Sequence, residues 1–269
     1  MPLAVCATPI GNLEDVTLRV LAELREADLV LCEDTRHTRA LLERHGIEGA
    51  RLSSYHQHNE ARRVAEVLPR LEAGERVALV SDAGLPVVSD PGARLVAAAL
   101  AGGFGVTVLP GPSAVETALV ASGLAGEQYR FLGYLPRRKV ELAALWVELA
   151  GWPYPCVAFE SPQRLSASLA TLAAVEPERS VAVCRELTKR FEEVVRGTAA
   201  DLATRFSEPP RGEITLVLGP SAGRATPVDA EALRAVAELV AAGVPRRRAV
   251  EVVARLTGLS RNALYRATL

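Results

Sequence analysis

Short, uninterrupted apolar runs alternate along the chain with longer segments in which apolar positions recur every three or four residues. LAVCA (3–7), DLVLC (28–32), VALV (77–80) and VTVL (106–109) are the short runs, and TLRVLAELREA and EARRVAEVLPRLEAGE are two of the helix-patterned segments between them. Strands that are apolar on both faces must be covered on both faces, so the alternation predicts parallel βαβ units. Behind each predicted strand comes a loop: TPIGNLED (8–15), EDTRHT (33–38), SDAGLPVVSDPG (81–92) and PGPSA (110–114). A hairpin turn uses about two to five residues, so the stretch at 81–92 is longer than chain reversal requires. In an open parallel sheet ligands bind beyond the carboxyl ends of the strands, and the four loops are expected to wall one crevice.

The pattern changes near residue 122. SGLAGEQYRFLGYLPRRK reads as a connector into a second unit with predicted strands at 156–159, 181–184 and 214–218 and helices between them. These strands end in ESPQRL, RELTK and GPSAG. GPSAGRATPVD then reads as a linker, and the rest of the chain carries no strand signal. The expected organisation is an N-terminal unit at 1–121, a second at 122–222 and a helical tail at 228–269. In the tail, VPRRRAVEVVARLTGLSRNALYRATL predicts a helix, a turn at Gly258, an N-cap at Ser260 and a second helix. From residue 226 onward seven arginines face four acidic residues, which with the helix-turn-helix layout points to a nucleic-acid-contacting appendage, here read as contacting RNA.

Composition narrows the function classes. With 49% hydrophobic and 23% charged residues in 269, neither disorder nor a fibrous protein is indicated. The balance of 31 basic against 32 acidic residues excludes blanket coating of a polyanion, so nucleic-acid contact must come from local patches. MPLAVCATPIGN has no basic region followed by a long apolar one, and LVAAALAGG is far shorter than the roughly 20 residues that cross a bilayer. A cytoplasmic protein without membrane contact is expected. Cys6, Cys32, Cys156 and Cys184 each sit in an apolar run without a CxxC pair, and are expected to be buried and reduced. His56 and His58 in YHQHNE lack a third ligand at useful spacing, so no metal site is expected.

No GxxxxGK[ST] follows a strand, no GxGxxG opens the first helix, and GGFG at 102–105 precedes a strand, the wrong context for a nucleotide fingerprint. Pro9 and Gly11 leave little bulk beside the first strand, allowing a ligand close to the backbone, and Asn12 and Asp15 are expected to cap a helix beginning near Thr17. SDAGLP and PGPSA form two stiff, small-residue bends without a lysine or phosphate nest, which suits an adenosyl group lacking phosphates. EDTRHTRALLERHG gathers Glu33, Asp34, Arg36, His37 and Arg39 at a strand end, more than a solvated helix start requires.

Taken in order, TPIGNLED, EDTRHT, SDAGLP…SDPG, LPGPSA…TAL…SGL, FLGYLPRRK, FESPQRL, RELTK and RNALYR resemble the RNA-modifying branch of the tetrapyrrole methylase superfamily, across nearly the whole chain. The resemblance implies an α/β fold of two αβα domains, the first sheet parallel and the second mixed, with a small helical segment after them. It further implies a homodimer, S-adenosylmethionine in the cleft between domains, and 2′-O-methylation of a cytidine in the decoding region of 16S ribosomal RNA of the 30S subunit. By position, Asp82, Ala83, Gly84, Leu85, Pro86, Gly111, Pro112, Ser113, Ala114 and Thr117 would contact the cofactor, with Pro9 beside them and Phe159, Glu160, Gly212 and Ile214 closing from the second domain. TPIGNL stands where porphyrin-modifying relatives carry a glycine-rich loop, which turns the expectation away from a tetrapyrrole.

A donor of this kind needs alignment more than activation, and because sulfonium charge disperses during transfer, backbone carbonyls rather than carboxylates are expected at the sulfur. The acceptor hydroxyl needs a base, for which Asp34, Glu33 and His37 are candidates. Arg36, Arg39, Arg137, Arg138 and Lys139 are expected to hold RNA phosphates. Two alternatives stand beside this reading: a small-molecule methyltransferase acting on a corrinoid or porphyrin, and a DNA-binding regulator that senses a nucleoside and reads operators through its tail.

Overall fold

Successive side chains of a strand point to opposite faces, and in β1 (Leu3–Cys6) they divide between two cores. Leu3 and Val5 enter one, Ala4 and Cys6 the other. The computed structural model describes residues 3–221, 230–259 and 261–268. After β1 come α1 (Leu18–Glu26), β2 (Leu29–Cys32), α2 (Thr35–Arg44), β3 (Leu52–Ser54), α3 (Glu60–Glu72), β4 (Val77–Val80), α4 (Ala93–Ala101) and β5 (Val106–Leu109). The five strands form a parallel sheet in the order β3-β2-β4-β1-β5. Val20, Leu24 and Leu42 of α1 and α2 pack on one face, and Val67, Leu71, Leu95 and Ala99 of α3 and α4 on the other.

This wiring places the crevice. From adjacent strands β1 and β4 the chain leaves to opposite faces, to α1 in one case and α4 in the other, so the loops part between them, as they do wherever strand order reverses in a doubly wound sheet. The parting loops are stitched together at one point, where Thr8 N–H donates to the Gly84 carbonyl at 2.8 Å and Gly84 N–H donates to the Thr8 carbonyl at 3.0 Å.

The remainder comprises α5 (Ala114–Ser122), β6 (Arg130–Tyr134), α6 (Lys139–Leu149), β7 (Cys156–Glu160), α7 (Pro162–Ala173), β8 (Ser180–Arg185), β9 (Glu193–Thr198), α8 (Ala199–Arg205) and β10 (Ile214–Leu218). Its sheet has the order β6-β7-β10-β8-β9 and is mixed, with only the β6–β7 pairing parallel. Trp146, Leu165, Leu169 and Leu202 of α6, α7 and α8 bury one face. The other is covered by Val115, Ala118 and Leu119 of α5, together with Ile10 and Leu187. The helix that follows the first sheet therefore packs on the second and joins the two layers.

Three strands depart from the sequence expectation. The expected connector contains β6, and β3 and β9 lie where a loop and helices were read. All three are edge strands, where covering on both faces is not required and the apolar run that marks a central strand disappears. The expected helix cap is also corrected: Asn12 caps a 3₁₀ turn at Leu13–Asp15, Asp15 is the last residue of that turn, and Thr17 itself accepts the Val20 N–H to cap α1.

The tail forms α9 (Ala230–Ala241), α10 (Arg246–Thr257) and α11 (Arg261–Ala267) around its own core of Val236, Val250, Val253 and Leu264. Gly258 closes α10 in a left-handed conformation, as expected. Ser260 and the expected linker at 222–229 lie outside the described residues. No helix among the described residues is long and apolar enough to cross a membrane.

Candidate active site

Between the carboxyl ends of the parallel sheet and the second sheet lies a cavity of about 950 Å³. Its floor comes from the first sheet, with Asp82–Leu85 after β4 and Gly111–Ala114 after β5; Phe159, Glu160, Gly212 and Ile214 close it from the second. Pro86 and Thr117, expected at the cofactor, do not line it: Pro86 is buried and Thr117 sits one turn along α5. Pro9 lines a neighbouring cavity of about 420 Å³ that also takes in His37 and Lys189 and shares Ile10, Asp82, Ala83 and Glu213 with the larger one.

The lining of the larger cavity has one sign of charge. Asp82, Asp90, Glu116, Glu160 and Glu213 reach it, and no Lys, Arg or His does among the described residues. Most of these carboxylates are already committed. Glu160 accepts from Ser161 N–H at 2.7 Å and from the Ser168 hydroxyl at 2.5 Å, and pairs with Arg164 at 3.3 Å. Glu116 accepts from the hydroxyls of Ser113 and Tyr129, and Glu213 pairs with Lys189 at 3.0 Å. Asp82 accepts from Asp34 N–H at 2.9 Å and lies 3.3 Å from His37 Nδ1, tying the loop after β2 to the loop after β4. Cys184 also lines the cavity, but burial pushes its thiol up to about 11, leaving it protonated and inert at neutral pH. All four cysteines are buried and free.

The three sequence candidates for a base fare differently. Asp34 is the N-cap of α2, accepting from Arg36 N–H at 2.8 Å, and it also receives the Arg36 guanidinium in a two-pronged pair. The Arg36 bonds hold its carboxyl well below the usual carboxylate range, which makes it a weak base. Burial first, and then the neighbouring Asp82, raise Glu33, but it lines neither cavity. His37 is exposed and reaches only the smaller cavity. Of the expected phosphate ligands, Arg36, Arg39, Arg137, Arg138 and Lys139 are all exposed, with Arg36 committed to Asp34 and Arg138 3.3 Å from Glu141.

Several lining residues escaped the sequence reading. Phe131 and Tyr134 project from β6 against Phe159, with ring centroids 5.1 and 5.4 Å from it in edge-to-face contact. FLGYLP carried that signal. Lys189 was visible in RELTK, and its position is set by a close approach: a Cβ on Gly11 would lie 2.5 Å from Lys189 Cγ and 2.8 Å from the Leu187 carbonyl oxygen. Only glycine lets the first loop press against the second sheet here, where Asn12 N–H donates to Thr188 Oγ1 at 3.0 Å.

A cavity that is acidic within, free of basic side chains and floored by stiff bends suits a cationic, phosphate-free ligand. The family model for Tetrapyrrole (Corrin/Porphyrin) Methylases matches residues 2–203, and a model described as the RsmI C-terminal HTH domain matches residues 226–269. Proteins named "Ribosomal RNA small subunit methyltransferase I" are similar over nearly the full length: 44% identity in Mesorhizobium japonicum, covering 99% of this chain and 91% of that protein, and 46% in Mycobacterium tuberculosis, covering 99% and 94%. Among solved structures, the methyltransferase CobJ matches with TM-score 0.61 at 20% identity, covering 82% of this chain and 95% of that one. Uroporphyrin-III C-methyltransferase from Thermus thermophilus, complexed with S-adenyl homocysteine, matches with TM-score 0.56 at 19% identity, covering 81% and 97%. The chain belongs to the tetrapyrrole methylase family, within the group of ribosomal RNA small subunit methyltransferase I proteins.

Proposed function

We propose that the chain transfers a methyl group from S-adenosylmethionine to the 2′-oxygen of a cytidine in the decoding region of 16S ribosomal RNA, acting on the 30S subunit in the cytoplasm as a homodimer. The observation that carries this reading is a contrast in charge: acids and small bends line the cavity, while Arg36, Arg39, Arg137, Arg138 and Lys139 are exposed outside its lining. A sulfonium and an α-ammonium are both cationic, and a lining whose charged side chains among the described residues are all acidic favours them over a phosphate-bearing cofactor. Ala83, Gly84, Gly111 and Pro112 offer backbone to a flat adenosine without side-chain bulk. When bound, the sulfonium supplies an already activated methyl group.

The protein's own part is then placement and proton management. Holding donor and acceptor in line supplies several kcal/mol of the barrier. Tyr134, 67% exposed at the cavity mouth, offers a face on which an unstacked pyrimidine can rest while basic residues outside hold the backbone. The expectation of carbonyls rather than carboxylates at the sulfur is compatible with the lining, because Glu116 and Glu160 are already saturated by their own donors.

The test is methyl transfer from labelled S-adenosylmethionine to purified 30S subunits, with uroporphyrinogen as the competing acceptor, followed by digestion to nucleosides. Label in 2′-O-methylcytidine is expected. Label in the porphyrinogen, or on a nucleobase, overturns the proposal.

A further inference from the structure

The loop between β8 and β9 is wound more tightly than a connection between antiparallel strands requires. Glu186 and Thr188 have positive φ, 52° and 63°, and neither is a glycine. Such backbone persists only where the surroundings impose it, and here contacts from both layers do so. Glu186 N–H donates to the Glu213 carbonyl at 3.0 Å, and Glu213 N–H donates back to Glu186 Oε1 at 2.9 Å. Thr188 N–H donates to Glu192 Oε2 at 2.6 Å, while its hydroxyl oxygen accepts from Asn12 N–H in the first loop. A Cβ on Gly212 would lie 2.4 Å from Glu186 Cγ, so the chain needs glycine there as it does at Gly11. The scaffold fixes Lys189 against Gly11 and Glu213, where the smaller cavity meets the larger.

An ammonium carries three N–H donors. Lys189 gives one to Glu186 at 3.1 Å and one to Glu213 at 3.0 Å, and no acceptor among the described residues takes the third. Burial works against its charge, but the bonds to Glu213 and Glu186 outweigh this and raise it above the ordinary lysine range. Lys189 is therefore a lasting cation and a donor. Glu213 spends only Oε2 on it; the side chain is 75% exposed and lines both cavities. The rest of the smaller cavity is largely apolar, with Pro9, Leu13 and Leu41 in its wall, and its other basic side chain, His37, lies 3.3 Å from Asp82.

We infer that Lys189 and Glu213 are the catalytic pair that receives the ribose 2′-hydroxyl, the ammonium donating to its oxygen and the carboxylate accepting its proton. The inference rests on the function proposed above. A hydroxyl is donor and acceptor at once, and a Lys–Glu pair 3.0 Å apart offers the complement of both. No basic side chain lines the larger cavity among the described residues, so the donor to the acceptor oxygen comes from its border, where Lys189 stands. In the step assigned to the pair, the ribose oxygen forms its bond to the methyl carbon as the carbon–sulfur bond breaks, and the bonding pair leaves with sulfur as a neutral thioether. The hydroxyl proton passes to Glu213, and Lys189 stabilises the negative charge that its departure leaves on oxygen. Glu213, exposed at the mouth, then returns the proton to water.

The experiment compares wild type with K189M, K189C and E213Q in single-turnover methylation of 30S subunits, with both substrates saturating. Calorimetric titration of S-adenosylmethionine, filter binding of the subunit and thermal melts accompany it. Removal of one oriented donor costs about 10²- to 10³-fold and of a general base about 10²- to 10⁴-fold, so K189M and E213Q are each expected to lose at least 100-fold in rate. Both affinities are expected to stay within threefold. K189C is expected to be as slow as K189M and to regain at least tenfold on alkylation with 2-bromoethylamine, which rebuilds an ammonium of similar reach; the four native cysteines are buried. A K189M or E213Q rate within threefold of wild type overturns the pair. So does a loss confined to either affinity with the saturated rate kept, because Lys189 would then be an anchor only. A folded K189C that alkylation does not rescue also overturns it, and this arm decides if K189M fails to fold. In each of these cases 2′-O-methylated product from wild type upholds the function; its absence overturns both together.

Discussion

The loops after β2 and β4 lie side by side and are joined by one hydrogen bond, from Asp34 N–H to Asp82, yet they treat their carboxylates in opposite ways. Asp34 caps a helix and is neutralised by Arg36 two residues on, so its proton affinity falls. Asp90 is drawn into a cavity with other acids and, among the described residues, no basic side chain lines that cavity, so its proton affinity rises. The same side chain is a structural fastener in one loop and a more basic, cavity-lining carboxyl in the other. What separates them is desolvation and the sign of the nearest charge, both properties of the assembled site.

The largest test of this contrast is at Gly92, just before α4. Gly92→Ala forces a Cβ against Leu79 at an unfavourable φ and should destabilise the protein by about 2–4 kcal/mol in urea unfolding while abolishing transfer; an alanine variant as stable and active as wild type would show that the loop is not held there. Next comes Asp34. Asn retains the cap, so D34N should keep methyl transfer within tenfold of wild type, and D34A should lower the melting temperature through the lost cap. A D34N rate more than 100-fold below wild type would erase the distinction between the loops.

Smaller still is the effect of Asp90 on stability. Its carboxyl is raised in the folded state, so the stability contributed by the protonated form is full below the unfolded value of 3.8 and is lost as pH rises through about 6. At pH 7.5 the ionised, partly desolvated group is a liability, and D90N should be more stable by about 1 kcal/mol after allowance for solvent screening, the gain shrinking toward pH 4. Thermal melts at the two pH values measure this directly, and equal gains at both would contradict the desolvation argument. The smallest effect belongs to Arg36→Ala, expected to weaken 30S binding about two- to fivefold with S-adenosylmethionine affinity unchanged, as for loss of one exposed phosphate contact.

Much of this architecture was legible in the residues. Runs such as VALV, apolar on both faces, mark central strands, and the Pro-Gly bends behind them mark the ligand edge. The edge strands were not legible: EVVRGT and LSSY mix polar and apolar positions because one side of an edge needs no partner. Nor was the placement of α5, because an apolar helix following a sheet carries no label saying which sheet it will cover. At the site, D-T-R-H was a readable N-cap signature, and the Arg36 pairing that disables Asp34 follows from it. Asp90 stood in the quoted SDPG stretch and was passed over, because a raised proton affinity depends on Glu33 and Asp82 arriving from other strands.

The position of α5 has a consequence for synthesis. When the first parallel sheet has left the ribosome, Val115, Ala118 and Leu119 have no surface to cover, because the wall that receives them includes Val157, Ala182 and Val217. A nascent chain stopped at Ser122 therefore exposes a greasy helix for as long as the next hundred or so residues take to emerge, at roughly 5–20 residues per second. The catalytic crevice and the final burial of that helix are completed by the same late strands, so chains that have not finished folding have no formed cleft in which to bind a methyl donor.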